Sequence, residues 1–149
     1  MVVGSHAGIS VGPEGGTHQA LEDIALMRVM PNMDVISPCD AIEAKKATLA
    51  LAKSSRPAYL RLAREKTPII TTEETPFDLG KAEIYWMPEV GIAQVGIIAT
   101  GTLLYQSLLA AKELEAEGIK VKVLNLRERR QLSMRPIIFS QSFHSITRD

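Results

Sequence analysis

Two histidines and a carboxylate lie within a glycine-rich stretch near the start of the chain. Residues 5–19 read Ser-His-Ala-Gly-Ile-Ser-Val-Gly-Pro-Glu-Gly-Gly-Thr-His-Gln, which spaces His6, Glu14 and His18 among four glycines. Glycine lets backbone approach a ligand closely, and histidine can donate to phosphate or carbonyl oxygen and exchange a proton near neutral pH. The stretch lies between a short apolar strand and an amphipathic helix, which predicts the lip of a binding site. Two alternatives stay open on these residues alone: a histidine satisfied within its loop, and a metal ligand.

Composition excludes several classes of protein. The 149 residues give room for one domain or parts of two, and 17 basic residues balance 17 acidic ones. The sequence has no polybasic stretch that would favour nucleic-acid binding and no apolar run long enough to span a membrane. No secretory leader is apparent, so we expect a cytoplasmic protein. The single cysteine, Cys39, excludes an internal disulfide and is expected to be a small buried residue rather than a nucleophile. One cysteine and three scattered histidines argue against structural zinc.

Short strands alternate with helices along the first part of the chain. Apolar periodicity predicts strands at residues 1–4, 34–37 and 58–63, and helices at residues 17–30 and 40–53. Asp40 is expected to cap the second helix, with Glu43 completing a capping box. This alternation predicts an α/β fold with a mostly parallel, doubly wound sheet.

A polar, proline-containing stretch over residues 65–80 predicts a linker between two units. Beyond it, a strand at 95–100, a helix that Gly118 ends and a strand at 119–126 predict a βαβ unit. Tyr85 and Trp86 are expected to pack at the domain boundary rather than to stack on a base.

The composition changes sharply at Arg127. Residues 127–149 contain five arginines and four serines but no alanine, glycine, valine or lysine. A nucleic-acid-binding arm and a disordered tail are two readings, but no aromatic pattern supports the first and Ile137-Ile138-Phe139 is too apolar for the second. The preferred hypothesis is a change of reading frame near Arg127, which predicts a tail that does not pack as part of the native domain.

Several ordered motifs together resemble the transketolase family. The resemblance covers residues 1–126 and is closest to the C-terminal half, as found in the separate C-terminal subunit of split transketolases. It implies that residues 1–66 are the second half of the pyrimidine-binding domain, 67–80 a linker, 81–126 the beginning of the C-terminal domain and 127–149 an unassigned tail. The motifs that carry it are Ser5-His6, the loop from Gly12 to Gln19, Leu21-Glu22-Asp23-Ile24-Ala25, Arg28-Val29-Met30-Pro31-Asn32-Met33, Pro38-Cys39-Asp40 and Arg61-Leu62-Ala63-Arg64.

The resemblance implies a site for a sugar phosphate. His6 matches a histidine that contacts the substrate near the phosphate or along the sugar, and His18 matches one that binds substrate and transfers protons near the reacting carbons. These two histidines are the expected catalytic residues. Arg64 matches an arginine that grips the substrate phosphate, and Glu14 matches a residue that contacts a substrate hydroxyl. Thiamine diphosphate with Mg²⁺ is the implied cofactor, which supplies the carbanion chemistry of ketol transfer.

The chain departs from the family pattern at two residues and lacks the family's cofactor ligands, and this lack implies a fragment. Glu14 is one methylene longer than the usual aspartate, and Ala63 replaces a serine often found beside the arginine. The glutamate and aromatic residue that serve the cofactor's aminopyrimidine lie upstream in the family, and the ligands of diphosphate and Mg²⁺ belong to another domain. We therefore expect a chain that is inactive alone and works with an N-terminal transketolase subunit or domain, within a homodimer or heterotetramer.

Two other functions and one other arginine role stay open. A 1-deoxy-xylulose-5-phosphate synthase shares a similar loop, although the motifs around Asp23 and Arg64 resemble split transketolases more. A non-catalytic interaction module would explain the missing cofactor ligands. Arg64 could also be a surface partner of the adjacent Glu65.

Overall fold

The first sheet consists of three parallel strands. The computed structural model describes residues 1–128 and 138–140. Strands β1 (Val2–Gly4), β2 (Asp34–Ile36) and β3 (Ala58–Arg61) form a sheet of order β1-β3-β2. Both pairings are parallel, as the alternation of strands and helices predicts. The carboxyl ends of β1 and β3 therefore lie side by side, with Gly4 in register with Arg61.

Two α-helices and a 3₁₀ helix connect these strands. The 3₁₀ helix covers Gly12–His18, and helix α1 covers Asp23–Val29. The helix expected over residues 17–30 thus begins several residues later than predicted. Its first part is instead joined to the glycine-rich loop, since the Gly8 N–H donates to the Ala20 carbonyl.

Helix α2 covers Ala41–Ala52 and begins as its sequence predicts. The Asp40 side chain accepts a hydrogen bond of 2.8 Å from the Glu43 N–H, which satisfies one of the free amides of the first turn. The Glu43 carboxylate accepts from the Cys39 N–H at 2.7 Å. The reciprocal bond expected for a capping box is therefore made one residue earlier than Asp40.

The second sheet is mixed. Strands β4 (Lys81–Trp86), β5 (Val95–Ala99), β6 (Val121–Asn125) and β7 (Ile138–Ser140) have the order β5-β6-β4-β7. Strands β5 and β6 are parallel and joined by helix α3 (Leu103–Ala116), which confirms the predicted βαβ unit. Strand β4 was not predicted, and it runs antiparallel to β6.

The expected linker is packed against both units. Asp40 accepts hydrogen bonds from the Ile70 and Thr71 amides, at 2.8 and 2.6 Å. Phe77 and Leu79 pack against the core of the first sheet, a cluster of Ile36, Ala47, Leu51, Ala58 and Leu60. The stretch between the two sheets is thus held by hydrogen bonds and apolar contacts.

The second core crosses the domain boundary. Cys39, from the first unit, is buried with residues of the second unit, and Tyr85 and Trp86 pack against this cluster. Its other buried members are Ala99, Leu104, Leu108, Ala111, Val121 and Val123. In the part of the chain that the structure describes, no helix has the length and apolar character needed to cross a membrane.

Arg127 and Glu128 differ from what the composition predicts, because both are buried parts of the fold. The Arg127 carbonyl accepts from the Ser37 N–H at 2.8 Å, and Glu128 forms a bridge with Ile36 at the edge of β2. Strand β7 also pairs with β4. The expectation of an unpacked tail is therefore wrong for these residues, because a charged side chain such as Arg127 can be buried when carboxylates pair with it. Residues 129–137 and 141–149 lie outside the described residues.

Candidate functional site

The glycine-rich loop crosses the carboxyl ends of β1 and β3. The Leu62 N–H donates to the Gly4 carbonyl at 2.8 Å, and the Ala7 N–H donates to the Leu62 carbonyl at 3.1 Å. These two bonds continue the pairing of the strands beyond their ends and hold the start of the loop. Ligands of parallel α/β sheets bind at this edge, so the loop lies where the sequence predicts a site.

Arg64 connects the loop to the end of β3. Its guanidinium Nη1 lies 2.6 Å from Glu14 Oε2 and also donates to the Val11 carbonyl. The half-buried Arg64 thus holds both the start and the middle of the 3₁₀ segment. Its ionic partner is Glu14, fifty positions away in the sequence, and not the neighbouring Glu65 that the alternative reading favoured.

His6 and His18 lie on the same loop and are both exposed. His6 has a φ of 60°, a left-handed conformation that is uncommon outside glycine. His18 Nδ1 lies 2.9 Å from Thr17 Oγ1, and that hydroxyl donates to the Glu14 carbonyl at 3.2 Å. The bond to Thr17 ties one imidazole nitrogen of His18 to the loop.

The pKa of Glu14 is lowered by its surroundings, which include the other three predicted site residues. Its pKa lies below the ordinary range of a glutamate, first because of the backbone hydrogen bond to its carboxylate. The positive charges of Arg64, His18 and His6 lower the pKa further, in that order. Glu14 and Arg64 are thus in direct contact, and His6 and His18 lie on the same loop as Glu14. The roles of these four side chains toward a substrate remain predictions.

Gly12 is needed where Arg64 meets the loop. Its φ is 77°, and a Cβ at this position would collide with Arg64 Nη1. Gly15 and Gly16 are different, because a Cβ at either would meet nothing within 4 Å. Of these three glycines, Gly12 alone is fixed by close contact with a site residue.

Sequence reasoning missed a second polar cluster at the same edge. Asp23 Oδ2 accepts from Arg61 Nε at 2.9 Å and from the Tyr59 hydroxyl at 2.8 Å. Burial raises the pKa of Tyr59 to about 12, and the Asp23 hydrogen bond acts in the same direction. Tyr59 is therefore a protonated donor at neutral pH. The sequence analysis names Arg61 only as part of a motif. The alternation of side chains along β3, which places Arg61 on the side of Asp23, was the one sequence signal for this contact.

Cys39 is buried, as expected for a structural residue. Burial, with the nearby carboxylates of Glu43 and Asp40, raises the pKa of its thiol far above the ordinary range. A thiol in this environment is not a nucleophile at neutral pH. Within residues 1–128, no three histidine, cysteine, aspartate or glutamate side chains are grouped so that they could hold a metal ion.

Comparison with known families covers nearly the whole fold. Residues 1–69 match the family described as "Transketolase, pyrimidine binding domain", and residues 85–145 match "Transketolase, C-terminal domain". The chain belongs to the transketolase family. The two matches lie in the order that the resemblance implies, and the second extends past residue 127, where the composition changes.

Individual transketolase relatives give the same result. A putative transketolase C-terminal section from Methanocaldococcus jannaschii is 39% identical over 127 residues, which are 84% of this chain and 39% of the relative. A 6-deoxy-6-sulfo-D-fructose transketolase subunit from Clostridium sp. (strain MSTE9) is 39% identical over 125 residues, 84% of this chain and 38% of the relative.

A solved structure supports the fold. It is described as a "Split gene transketolase, inactive beta4 tetramer", a tetramer of beta subunits, and it superposes with a TM-score of 0.70 at 37% identity. The alignment covers 84% of this chain and 38% of that one. The chain thus spans about two fifths of the length of these split relatives.

Proposed function

We propose that this chain forms the substrate-phosphate side of a transketolase, an enzyme that transfers a two-carbon ketol unit between sugar phosphates. The observation that carries the proposal is the position of Arg64. This half-buried guanidinium lies at the carboxyl edge of a parallel sheet and is held against the loop that bears His6, Glu14 and His18. A planar guanidinium suits two-point contact with a phosphate.

Each side chain has one proposed task. Arg64 grips the substrate phosphate, and His6 donates a hydrogen bond to the phosphate end or to the sugar. His18, with Nδ1 beside Thr17 Oγ1, is the residue that binds and exchanges a proton near the reacting carbons. Glu14 accepts from a substrate hydroxyl once Arg64 turns to the phosphate.

The exposed Glu14–Arg64 pair permits this exchange. The Glu14 side chain is 42% exposed and the Arg64 side chain 30%. Ion pairs between partly exposed side chains are weak, so a phosphate dianion can replace the carboxylate as the partner of Arg64. In the absence of substrate, Glu14 keeps the guanidinium paired and in place.

Thiamine diphosphate supplies the carbanion chemistry of ketol transfer when bound. Among the described residues, no three histidine, cysteine, aspartate or glutamate side chains are grouped so that they could hold a metal ion. In the proposed enzyme the ligands of Mg²⁺ and diphosphate come from a different polypeptide section. This chain contributes binding and proton transfer at the substrate.

The proposed partner is an N-terminal transketolase subunit or domain. Relatives described as a C-terminal section and as a split-gene transketolase support this arrangement. The complete enzyme would be a homodimer or a heterotetramer. No nucleic acid or membrane enters the proposal, and a cytoplasmic location stays a prediction.

The anionic group of the substrate is the point on which relatives differ. One relative is named for a sulfonated ketose, 6-deoxy-6-sulfo-D-fructose. Phosphate and sulfonate both present oxygens to a guanidinium, but a phosphate carries the larger charge near neutral pH. We propose phosphate as the group recognised here, with the sulfonated ketose as the competing substrate in any assay.

The test is activity by complementation. The chain is assayed for ketol transfer alone and after mixing with the N-terminal section of a split transketolase, with thiamine diphosphate and Mg²⁺ present throughout. We expect no turnover by the chain alone and turnover by the mixture. Turnover by the isolated chain would overturn the assignment of the cofactor ligands to a partner, and an inactive complex of the two would overturn the proposed activity.

A further inference from the structure

A second guanidinium lies at the carboxyl edge of the sheet beside the proposed site. Arg61 is the last residue of β3, three positions before Arg64, and it pairs with Gly4 in the strand register. Its Nε donates to Asp23 Oδ2 at 2.9 Å, and both side chains are largely buried. The proposed function gives this arginine no task.

We propose that Arg61, held by Asp23, is a positioning residue that fixes His6 relative to Arg64. The inference rests on the proposed function, in which His6 and Arg64 contact the same substrate. Arg61 acts through the loop and does not itself touch substrate.

The contact with the loop is made at Gly8. This glycine has a φ of 96°, and a Cβ on it would lie 3.4 Å from Arg61 Nη2. The guanidinium therefore lies against the loop backbone two residues after His6. The same stretch is held from the other side, because the Gly8 N–H donates to the Ala20 carbonyl at 3.0 Å, just before helix α1.

The network also reaches the other side of His6. The Tyr59 hydroxyl donates to Asp23 Oδ2 and occupies the space where a Cβ on Gly4 would lie. Gly4 and Gly8 thus both contact the cluster formed by Tyr59, Asp23 and Arg61. His6 lies between these glycines in a left-handed conformation, which persists only where the surrounding structure holds it.

Two arginines from one short segment therefore tether the loop at different points. Arg61 supports it at Gly8, and Arg64 binds it at Val11 and Glu14. When Arg64 turns to a substrate phosphate, its tether to the loop is weakened. Arg61 then keeps His6 in place, because its partner Asp23 belongs to helix α1 and is not part of the substrate site.

The test compares Arg61→Ala with Arg56→Ala. Arg56 precedes the same strand and forms a similar pair, with Nε 3.0 Å from Asp34 Oδ1, but at the opposite edge of the sheet. In the full chain, hydrogen exchange is measured at the Ala7 and Gly8 amides, and the chemical shifts of the His6 ring are measured by NMR, with His6→Gln assigning the signal. In the complete enzyme, kcat and KM for a phosphorylated donor are measured.

We expect Arg61→Ala to speed exchange at Ala7 and Gly8 and to change the chemical shifts of the His6 ring, whereas Arg56→Ala leaves both unchanged. Misplacement of a group that contacts the substrate can cost up to about a hundredfold, so Arg61→Ala should strongly reduce kcat/KM for the phosphorylated donor. Arg61→Lys keeps the charge without the planar fork and should recover part of kcat/KM.

The outcomes separate the inference from the function on which it rests. Unchanged chemical shifts of the His6 ring, or equal changes in kcat/KM for Arg61→Ala and Arg56→Ala, would overturn the positioning role. If the unmodified complete enzyme lacks activity, the proposed function fails, and the exchange and chemical-shift data still decide whether Arg61 positions His6. If Arg61→Ala does not fold, Asp23→Asn replaces it in every measurement, since it removes the charge that holds Arg61.

Discussion

Glu14 Oε2 and Arg64 Nη1 lie 2.6 Å apart, although fifty positions separate the two residues in the sequence. The pair joins the glycine-rich loop to the end of β3 and brings two predicted site residues into direct contact. Both side chains are partly exposed, so the carboxylate pairs with the guanidinium while leaving it accessible to solvent. Glu14 therefore competes with any anion that binds Arg64.

Glu14→Gln should strengthen the binding of inorganic phosphate to the chain. The amide keeps the size of the side chain and removes the negative charge that pairs with Arg64. Because an ion pair between partly exposed side chains is weak, the gain in affinity should be no more than about fivefold. Phosphate titration followed by NMR measures it, with Glu65→Gln as the control. Weaker binding in Glu14→Gln than in the control would show that Glu14 supports the anion site rather than competing for it.

The pKa of the Glu14 carboxyl should lie below the ordinary value for a glutamate, which is about 4.3. A carboxyl with a lowered pKa in the folded state stabilises the fold at neutral pH, and this contribution is lost as the pH falls from the unfolded value through the folded one. Carboxyl ¹³C shifts measured against pH give the midpoint. In Arg64→Ala the midpoint should rise only in part, because the backbone hydrogen bond is the larger cause of the shift. A full return to the ordinary range would assign the shift to Arg64 alone.

Gly12→Ala should weaken phosphate binding through Arg64. The new Cβ would collide with Arg64 Nη1 and would also force a left-handed φ on alanine, at a cost of about 1–2 kcal/mol. Gly15→Ala also places alanine at a positive φ, 65°, but its Cβ meets no atom within 4 Å. Phosphate affinity and thermal unfolding are measured for both variants. Equal losses of affinity would attribute the effect to the backbone and not to displacement of the arginine.

Arg127 should be essential for stability. Its guanidinium lies 3.1 Å from Glu43 Oε1 and also pairs with Glu83, and all three side chains are buried. Burial raises the pKa of Glu83, and the charge of Arg127 opposes that shift. Arg127→Met leaves two buried carboxylates without their cation, which should cost about 3–5 kcal/mol of unfolding free energy.

The matched control for Arg127→Met is Lys45→Met. Lys45 pairs with Glu73 at 2.7 Å, but both side chains are mostly exposed, so the loss should be about 0–1 kcal/mol. Denaturant unfolding of the two variants gives the difference. In Arg127→Met the destabilisation should also shrink at acidic pH, because protonation neutralises the orphaned carboxylates. Similar losses in the two variants would show that residue 127 is not part of the fold, as the shifted reading frame predicts.

Local sequence signals predicted most of the fold. The strand that ends at Gly4, the Asp40 cap and the helix before Gly118 depend on nearby residues, and all three are found. Strand β4 was missed because its neighbours β6 and β7 follow much later in the chain. Arg127 was assigned to a tail outside the native fold because composition cannot show that the buried carboxylates of Glu43 and Glu83 pair with it.

The sequence named candidate site residues, which stay predictions, but it could not give the contacts that these residues make. His6, Glu14, His18 and Arg64 were named from motifs, and the edge of the sheet that they share follows from parallel strands. The pairing of Arg64 with Glu14 instead of Glu65 depends on how the loop folds over β3. The cluster of Asp23, Tyr59 and Arg61 needs the same tertiary information.

Recognition of a substrate phosphate by Arg64 is tested most directly with two donors. In the enzyme completed by an N-terminal section, kcat/KM of Arg64→Ala is measured for a phosphorylated ketose and for an unphosphorylated one. Loss of a charge-assisted contact should cost about 1.5–3 kcal/mol with the phosphorylated donor and much less with the other. Equal losses for the two donors would contradict phosphate recognition by Arg64 and, with it, the proposed site.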